Sequence, residues 1–210
     1  MSTPVFRSVI SSEHELKALV GSPSEIAVAK QVRSLDARCR AFVAHSPYVL
    51  LGTSNGLGRC DVSPKGDEAG CVLVLDDTHL LIPDRPGNKR VDGMLNILAN
   101  PHVGLLFLVP GRDETLRVNG RAWLVRDEEL LERMAVRGRR PQLAIGVEVE
   151  EVFMHCGKAS LRSHLWQPER WPDVNGLASA ACMLLDHARP AGMTLEQMER
   201  RLENDRQRLY

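Results

Sequence analysis

Between Tyr48 and Met154 the chain is a succession of short apolar runs cut by turn residues, a texture that fits neither a helical bundle nor an alternating α/β sheet. The runs are YVLLGTS, RCDVSP, GCVLVLD, HLLIP, HVGLLFLVPG, ETLRVNGRAWLV and QLAIGVEVEEVFM. The sharpest local signal is LVLDDTHLLIP, two apolar runs about Asp76-Asp77-Thr78, which predicts a hairpin. In RVNGRAWLV, Val118, Ala122 and Leu124 alternate with Arg117, Asn119, Arg121 and Trp123, giving one core face and one wetter face. An amphipathic helix over 92–99, opened by Asp92 and stopped by Asn100-Pro101, interrupts the strands, and DEELLERMAV predicts another. Six or seven antiparallel strands with few helices between them suit a small closed or partly open barrel.

Helices are expected on both flanks. Ser12 with Glu15, and Ser22-Pro23 with Glu25, predict short helices over 13–20 and 23–32. SLDARCRAFVAHSP predicts a third, with Leu35, Cys39, Phe42 and Val43 on one face. The last third reads as helical through HCGKASLRSHLW, a segment around 173–188, and TLEQMERRLENDRQRLY. That final stretch opens on a capping box, Thr194 with Gln197, and carries Leu195, Met198, Leu202 and Leu209 on one stripe. The expected organisation is a helical extension over 1–34, a barrel domain over 35–170 and a helical extension over 171–210.

Lys and Arg together number 27 and so do Asp and Glu, so nothing in the global balance attracts nucleic acid or an anionic membrane, and any basic site must be local. Five cysteines, odd in number and without a CxxC pair, argue against a disulfide framework or a zinc site and read as reduced thiols. The opening MSTPVFRSVISSEHEL lacks a cationic segment followed by an apolar one, so a soluble, cytoplasmic protein is expected. Neither GxGxxG nor GxxxxGK[ST] occurs, no GxSxG elbow is present, and the histidines have no ligand spacing, so no metal is expected.

Three constellations could carry chemistry. PDRPGNKR places Arg85, Lys89 and Arg90 on a Pro/Gly turn just before a helix start, where free N–H groups and the helix dipole favour an anion. A solvated turn neutralised by Asp84 and Asp92 is the alternative. In DVSPKGD, residues 61–67, Ser63, Lys65 and the backbone near Gly66 could meet a polar ligand, or form an ordinary turn. In HCGKASLRSHLW, Lys158, Arg162 and Trp166 recur every four residues, so a continuous helix would put them on one face, as a surface cation–π group or a lid over an aromatic ligand.

These pieces, in this order and together with NILANPHVGLLFLVPG and ETLRVNGRA, resemble the FMN-binding split barrels of the pyridoxamine 5′-phosphate oxidase-like family, in particular an FMN-dependent subgroup distinct from the true oxidases. The resemblance spans roughly residues 35–170. It implies a mainly β fold, a six-stranded Greek-key split β-barrel with N- and C-terminal helices, and a homodimer with FMN at its interface. It also implies that Ser63, Pro64 and Lys65 run along the flavin, that Asn88, Lys89 and Arg90 hold its phosphate, and that Arg162 and Trp166 lie near its ring. True oxidases carry an apolar run ending in lysine where this chain has DVSPK, and an Arg- and His-bearing substrate motif that HLWQPERW does not reproduce. The resemblance therefore implies a flavin more strongly than vitamin B6 oxidation. The expectation is an oxidoreductase exchanging a hydride between a nicotinamide or deazaflavin donor and a small organic acceptor. The alternatives are a non-catalytic flavin- or haem-binding module and, against the charge balance and 4% aromatic content, a nucleic-acid-binding barrel.

Overall fold

The structure is a computed structural model and describes residues 5–210. Seven strands, β1 (Tyr48–Ser54), β2 (Cys60–Gly66), β3 (Leu73–Val74), β4 (His79–Pro83), β5 (His102–Leu108), β6 (Thr115–Val125) and β7 (Ala144–His155), form one sheet in the order β2-β1-β5-β6-β7-β4-β3. Every neighbouring pair is antiparallel. The expected six strands are thus seven. The additional one is the two-residue arm of the LVLDDTHLLIP hairpin, with Leu73 opposite Leu81 and Val74 opposite Leu80. Its turn is tightened by the Asp76 carboxylate, which accepts from the Thr78 and His79 amides at 2.7 and 2.8 Å.

The sheet has to curl. Its edge strands β2 and β3 are successive in the chain, joined by residues 67–72, which reach about 25 Å at full extension. Seven strands laid flat would separate those edges by about 29 Å, and the linker is far from extended, because Cys71 N donates to Glu68 O and Gly70 sits at φ 85°. The edges share no backbone ladder, so the barrel stays split. Side chains cross the gap instead. Lys65 on β2 meets Asp84 just past β4 at 3.4 Å, and Asp67 meets Arg85 at 2.5 Å, with the Asp67 side chain only 2% exposed. Because β3 pairs only with Leu80 and Leu81, it leaves the far end of β4 free to face β2.

The concave face holds the core. Val49 and Leu51, Leu105 and Phe107, Leu116 and Val118, Ile145 and Val147, and Leu80 and Ile82 all point inward and are almost fully buried. The alternation read in RVNGRAWLV holds: Val118 and Ala122 are buried while Arg121 and Trp123 are exposed. A bulge between β6 and β7, where Asn119 faces Glu151 and Gly120 faces Val149, returns Val152 to the core after the extra Glu150. Gly120 is obligatory there, since a Cβ would fall 2.0 Å from Glu148 O.

Helix α3 (Ala37–His45), capped by Asp36, plugs one end of the barrel with Val43, and Leu35 just before it is wholly buried. The N-terminal helices are α1 (Glu13–Val20), capped by Ser12, and α2 (Glu25–Ala29). The second is shorter than expected because Ser24, not Ser22, accepts from a first-turn amide, that of Ala27. Helix α4 (Asp92–Ala99) has the predicted bounds, and α5 (Glu128–Arg133) follows β6. After β7 come α6 (Lys158–Ser163), a 3₁₀ turn at Pro168–Arg170, α7 (Ala180–Ala188) and α8 (Leu195–Arg206). The Thr194/Gln197 capping box forms as read, and α7 and α8 pack on each other. Among the described residues no helix is long and apolar enough to cross a membrane.

Candidate functional site

The chain leaves β4 at one side of the sheet and re-enters it as β5 beside β1, so the segment 84–91 and α4 must cross the barrel mouth. That crossing lays PDRPGNKR along β2. Asp84 stands at Lys65, Arg85 at Asp67, and Arg90 lies near enough to Asp61 to feel its charge. Two of the three constellations are therefore one site. Strand alternation sorts the β2 residues: Asp61, Ser63 and Lys65 are half-buried on the inner face, while Cys60, Val62, Pro64 and Gly66 are exposed on the other. Pro64 thus points away from Ser63 and Lys65, and Asp61, passed over in the sequence, joins them.

The first turn of α4 sits on this row. A Cβ at Gly93 would lie 3.1 Å from Asp61 Oδ2, 3.6 Å from Thr53 Oγ1 and 3.7 Å from Ser63 Oγ, so a glycine lets the helix start settle against the polar strand ends. Asn96 Nδ2 ties the helix to the buried Thr53 hydroxyl at 3.1 Å, and Asn100 Nδ2 ties its end to Ser54 Oγ at 3.2 Å. Thr53, Gly93 and Asn96 carried no sequence signal, because their roles depend on which strand the helix crosses. The Ncap residue of α4 is Val91, which offers no side-chain cap, and the first intrahelical amide is that of Leu95. The amides of Asp92, Gly93 and Met94 lack intrahelical partners, and the positive end of the dipole lies there.

The turn ahead of the helix is shaped by Asn88, whose Oδ1 accepts from Arg90 N at 2.9 Å, and by Lys89, held at φ 61°. Arg90 Nε donates to Asp92 Oδ2 at 2.5 Å, and Asp92, with Asp61 adding a smaller pull, pushes the guanidinium above its ordinary value. Around the crossing, Lys65, Arg85, Lys89 and Arg90 are balanced by Asp61, Asp67, Asp84 and Asp92. Among the described residues Lys89 alone of the four cations has no carboxylate within ion-pair distance.

The third constellation is not built as read. Helix α6 ends at Ser163, and His164 turns left-handed at φ 52°, so Trp166 lies off the helix and does not share a face with Lys158 and Arg162. The indole Nε1 donates to Arg112 O at 2.7 Å, and Ser160 Oγ donates to Asp113 O at 2.9 Å, which fastens the segment to the β5–β6 turn. That turn follows Leu108, which faces Tyr48, whereas Asp61 faces Thr53 at the other end of β1. Five residues of strand, roughly 17 Å, separate the two levels.

Two shallow, open concavities among the described residues lie elsewhere. One runs along α8, and one of about 510 Å³ is lined by Gln31, Arg33, Asn119, Val149, Glu150 and Glu151. The candidate site is a polar shelf with one wall.

A curled, split antiparallel barrel with a basic crossing segment at an uncapped helix start defines a class of protein that the sequence profiles then specify. The pyridoxamine 5′-phosphate oxidase profile matches residues 35–156, and the chain belongs to that family. No curated protein matches it. Among solved structures it is similar to HupZ of Group A Streptococcus, at 17% identity over 57% of this chain and 92% of that one, with a TM-score of 0.48. It is also similar to an FMN-binding protein of Syntrophomonas wolfei, at 10% identity over 56% and 83% with a TM-score of 0.45. General Stress Protein 26 of Bacillus anthracis matches at 17% identity over 54% and 88% with a TM-score of 0.40.

Proposed function

We propose that this chain is a flavoprotein that binds FMN on the shelf between β2 and the 84–91 crossing, with the phosphate at the start of α4. The observation that carries the reading is the meeting of the cationic 84–91 crossing with the polar inner row of β2 at one uncapped helix N-terminus, with Ser63 and Lys65 aligned along that row. A phosphate dianion needs cations, free amides and a rigid approach. Lys89, Arg90 and the first amides of α4 supply the first two, and the Asn88 turn supplies the third. Arg90 must exchange Asp92 for the phosphate. Lys65, half-buried, and Ser63 then lie along the ring and ribityl portion, while the exposed Pro64 stiffens the edge strand from its other face. Arg162 and Trp166 stand at the strand level beyond the ring end.

The second wall comes from a second copy of the chain. Helix α4 is apolar on both sides: Met94 and Ile97 are buried on the sheet, while Val91, Leu95 and Leu98, spaced as one stripe, are 42%, 58% and 71% exposed. A helix with an exposed apolar stripe opposite its buried one belongs at an interface, and a homodimer across this stripe covers it and encloses the shelf. When bound, the flavin supplies hydride chemistry, so the chain needs only to bind, orient and exclude water, which fits the absence of a legible acid–base pair. The activity this supports is oxidoreduction of a small organic substrate. The absorption spectrum of the freshly purified protein tests the reading. Flavin bands that follow the protein through gel filtration support it, and a Soret band, or a protein that neither carries nor takes up FMN, refutes it.

A further inference from the structure

The seam where the barrel splits is sealed by a residue far from it in sequence. Tyr210, four residues past α8, donates its hydroxyl to Asp67 Oδ1, while Arg85 Nε holds Asp67 Oδ2. Two guanidinium groups stand over its ring, Arg85 Cζ at 5.8 Å and Arg137 Cζ at 5.3 Å from the centroid. Arg139 donates to its backbone carbonyl. Arg137 and Arg139 are presented by a tight turn in which Val136 and Arg139 exchange backbone hydrogen bonds and Arg137 and Gly138 both take positive φ. Arg85 also donates to Met134 O at 2.9 Å, at the end of α5. Three segments distant in sequence therefore converge on one phenol: the end of β2, the end of β4, and the α5–β7 loop.

We propose that Tyr210 is a clasp: docked against Arg85 and Arg137 with its hydroxyl on Asp67, it fastens the C-terminal helical pair to the seam and holds the two edges of the split barrel together. Its effect reaches the crossing segment, because Arg85 is the first anchored residue of the 84–91 stretch, and an Arg85 held on Asp67, Met134 O and Tyr210 fixes the base from which Lys89 and Arg90 project. Releasing the phenol leaves the almost fully buried Asp67 carboxylate short of one donor and opens one side of Arg85 to water. Among the described residues, the side-chain ion pairs then left across the seam are Asp67–Arg85 and Lys65–Asp84. The clasp is a property of the fold and holds with or without a flavin.

Two amides flank the seam on residues whose side chains close it: Asp67 N, bonded to Pro47 O at 3.0 Å where the β1–β2 ladder ends, and Asp84 N, bonded to Leu143 O at 3.1 Å where the β4–β7 ladder ends, so a seam that opens frees both strand ends to fray. Hydrogen exchange is measured on the purified full chain for the parent, Tyr210→Ala and Tyr210→Phe, with helix α3 as an internal control for global stability. A charge-assisted hydrogen bond, about 10- to 150-fold, together with two cation–π contacts of about two- to fivefold each, corresponds to roughly a hundred- to several-thousandfold change in a local opening equilibrium. Tyr210→Ala is expected to speed exchange at Asp67 and Asp84 by that factor, with α3 unchanged. Tyr210→Phe, which keeps the ring but not the hydroxyl, is expected to fall between the two. Exchange at both amides matching the parent in Tyr210→Ala overturns the clasp, and so does a uniform acceleration that includes α3.

Discussion

Replacing Arg90 with alanine tests the phosphate assignment, and the structure alters the size of the effect to expect. A charge-assisted contact to a phosphate corresponds to roughly a 10- to 150-fold gain in affinity. Arg90 is not idle before the ligand arrives, however: its Nε is on Asp92 at 2.5 Å, in a pair whose side chains are 77% and 45% exposed. An ion pair that open to solvent is worth at most about a fivefold factor, which the phosphate must displace. With that factor taken in full, the net loss for Arg90→Ala is therefore roughly two- to thirtyfold in FMN affinity. Riboflavin, which lacks the phosphate, should bind parent and variant alike, because the substitution and the missing group delete the same interaction. The companion change has the opposite sign. Asp92→Asn frees the guanidinium and removes a carboxylate from beside the phosphate, so FMN should bind about two- to fivefold tighter with riboflavin unchanged. Quenching of flavin fluorescence on titration with apoprotein measures all of these. Equal weakening of both ligands by Arg90→Ala, or weaker FMN binding in Asp92→Asn, would refute the assignment and return the turn to its role as a locally neutralised surface loop.

If the proposed α4 dimer forms, Leu98→Glu on the exposed stripe should make the protein monomeric and weaken its hold on FMN, read by light scattering with in-line absorbance, and a parent that is already monomeric or a dimer that survives the change refutes the α4 interface. Trp166→Phe removes the Nε1 hydrogen bond to Arg112 O and should lower stability by about 1 kcal/mol. Unchanged FMN affinity in that variant confines Trp166 to packing. Gly120→Ala forces a Cβ onto Glu148 O at the bulge and should cost about 3 kcal/mol or more, seen as a large drop in Tm. Burial works to raise the Asp67 carboxyl, yet the Tyr210 hydroxyl, the Glu68 amide and Arg85 together outweigh it and hold it below the usual carboxylate range. Its contribution to stability is thus fully present above that range and lost as pH falls through its depressed folded value. Asp67→Asn should flatten that acid limb in denaturant titrations, and an unchanged limb would show that Asp67 is not its source.

What could be read from the sequence was what the chain decides over a few residues. The LVLDDTHLLIP hairpin was visible because one aspartate side chain and two apolar runs define it. The bounds of α4 were visible because Asp92 and Asn100-Pro101 punctuate them, and the start of α8 because Thr194 and Gln197 satisfy each other's amides. Period-two alternation along DVSPK puts Asp61, Ser63 and Lys65 on one face and Pro64 on the other, a sorting that the resemblance alone does not make. The helical face of Lys158, Arg162 and Trp166 failed at a single backbone event, the left-handed His164, where neither a glycine nor a proline marks the stop. Nor could spacing reveal the seam, since its partners lie 18 and 19 residues apart and its third member 143 residues away.

The charge balance that argued against a basic site at the level of the whole chain is reproduced inside the site. Each of Lys65, Arg85 and Arg90 has its own aspartate, and the pairs run in sequence order along the crossing: Lys65 with Asp84 and Asp67 with Arg85 at the seam, Arg90 with Asp92 at the helix start. The two seam pairs are largely shielded from water and bind the edges of the barrel to each other. The third is exposed, next to unpaired amides and to Lys89, which has no such partner. Screening by water makes this third pair the easiest to exchange, so the dianion proposed for the helix start would displace it and leave the seam intact. Pairing the cations limits their mutual repulsion at the mouth of the barrel, and the one solvated pair is the pair that the proposed phosphate site requires to be exchangeable. The opposite signs expected for Arg90→Ala and Asp92→Asn follow from that division between a structural and an exchangeable pair.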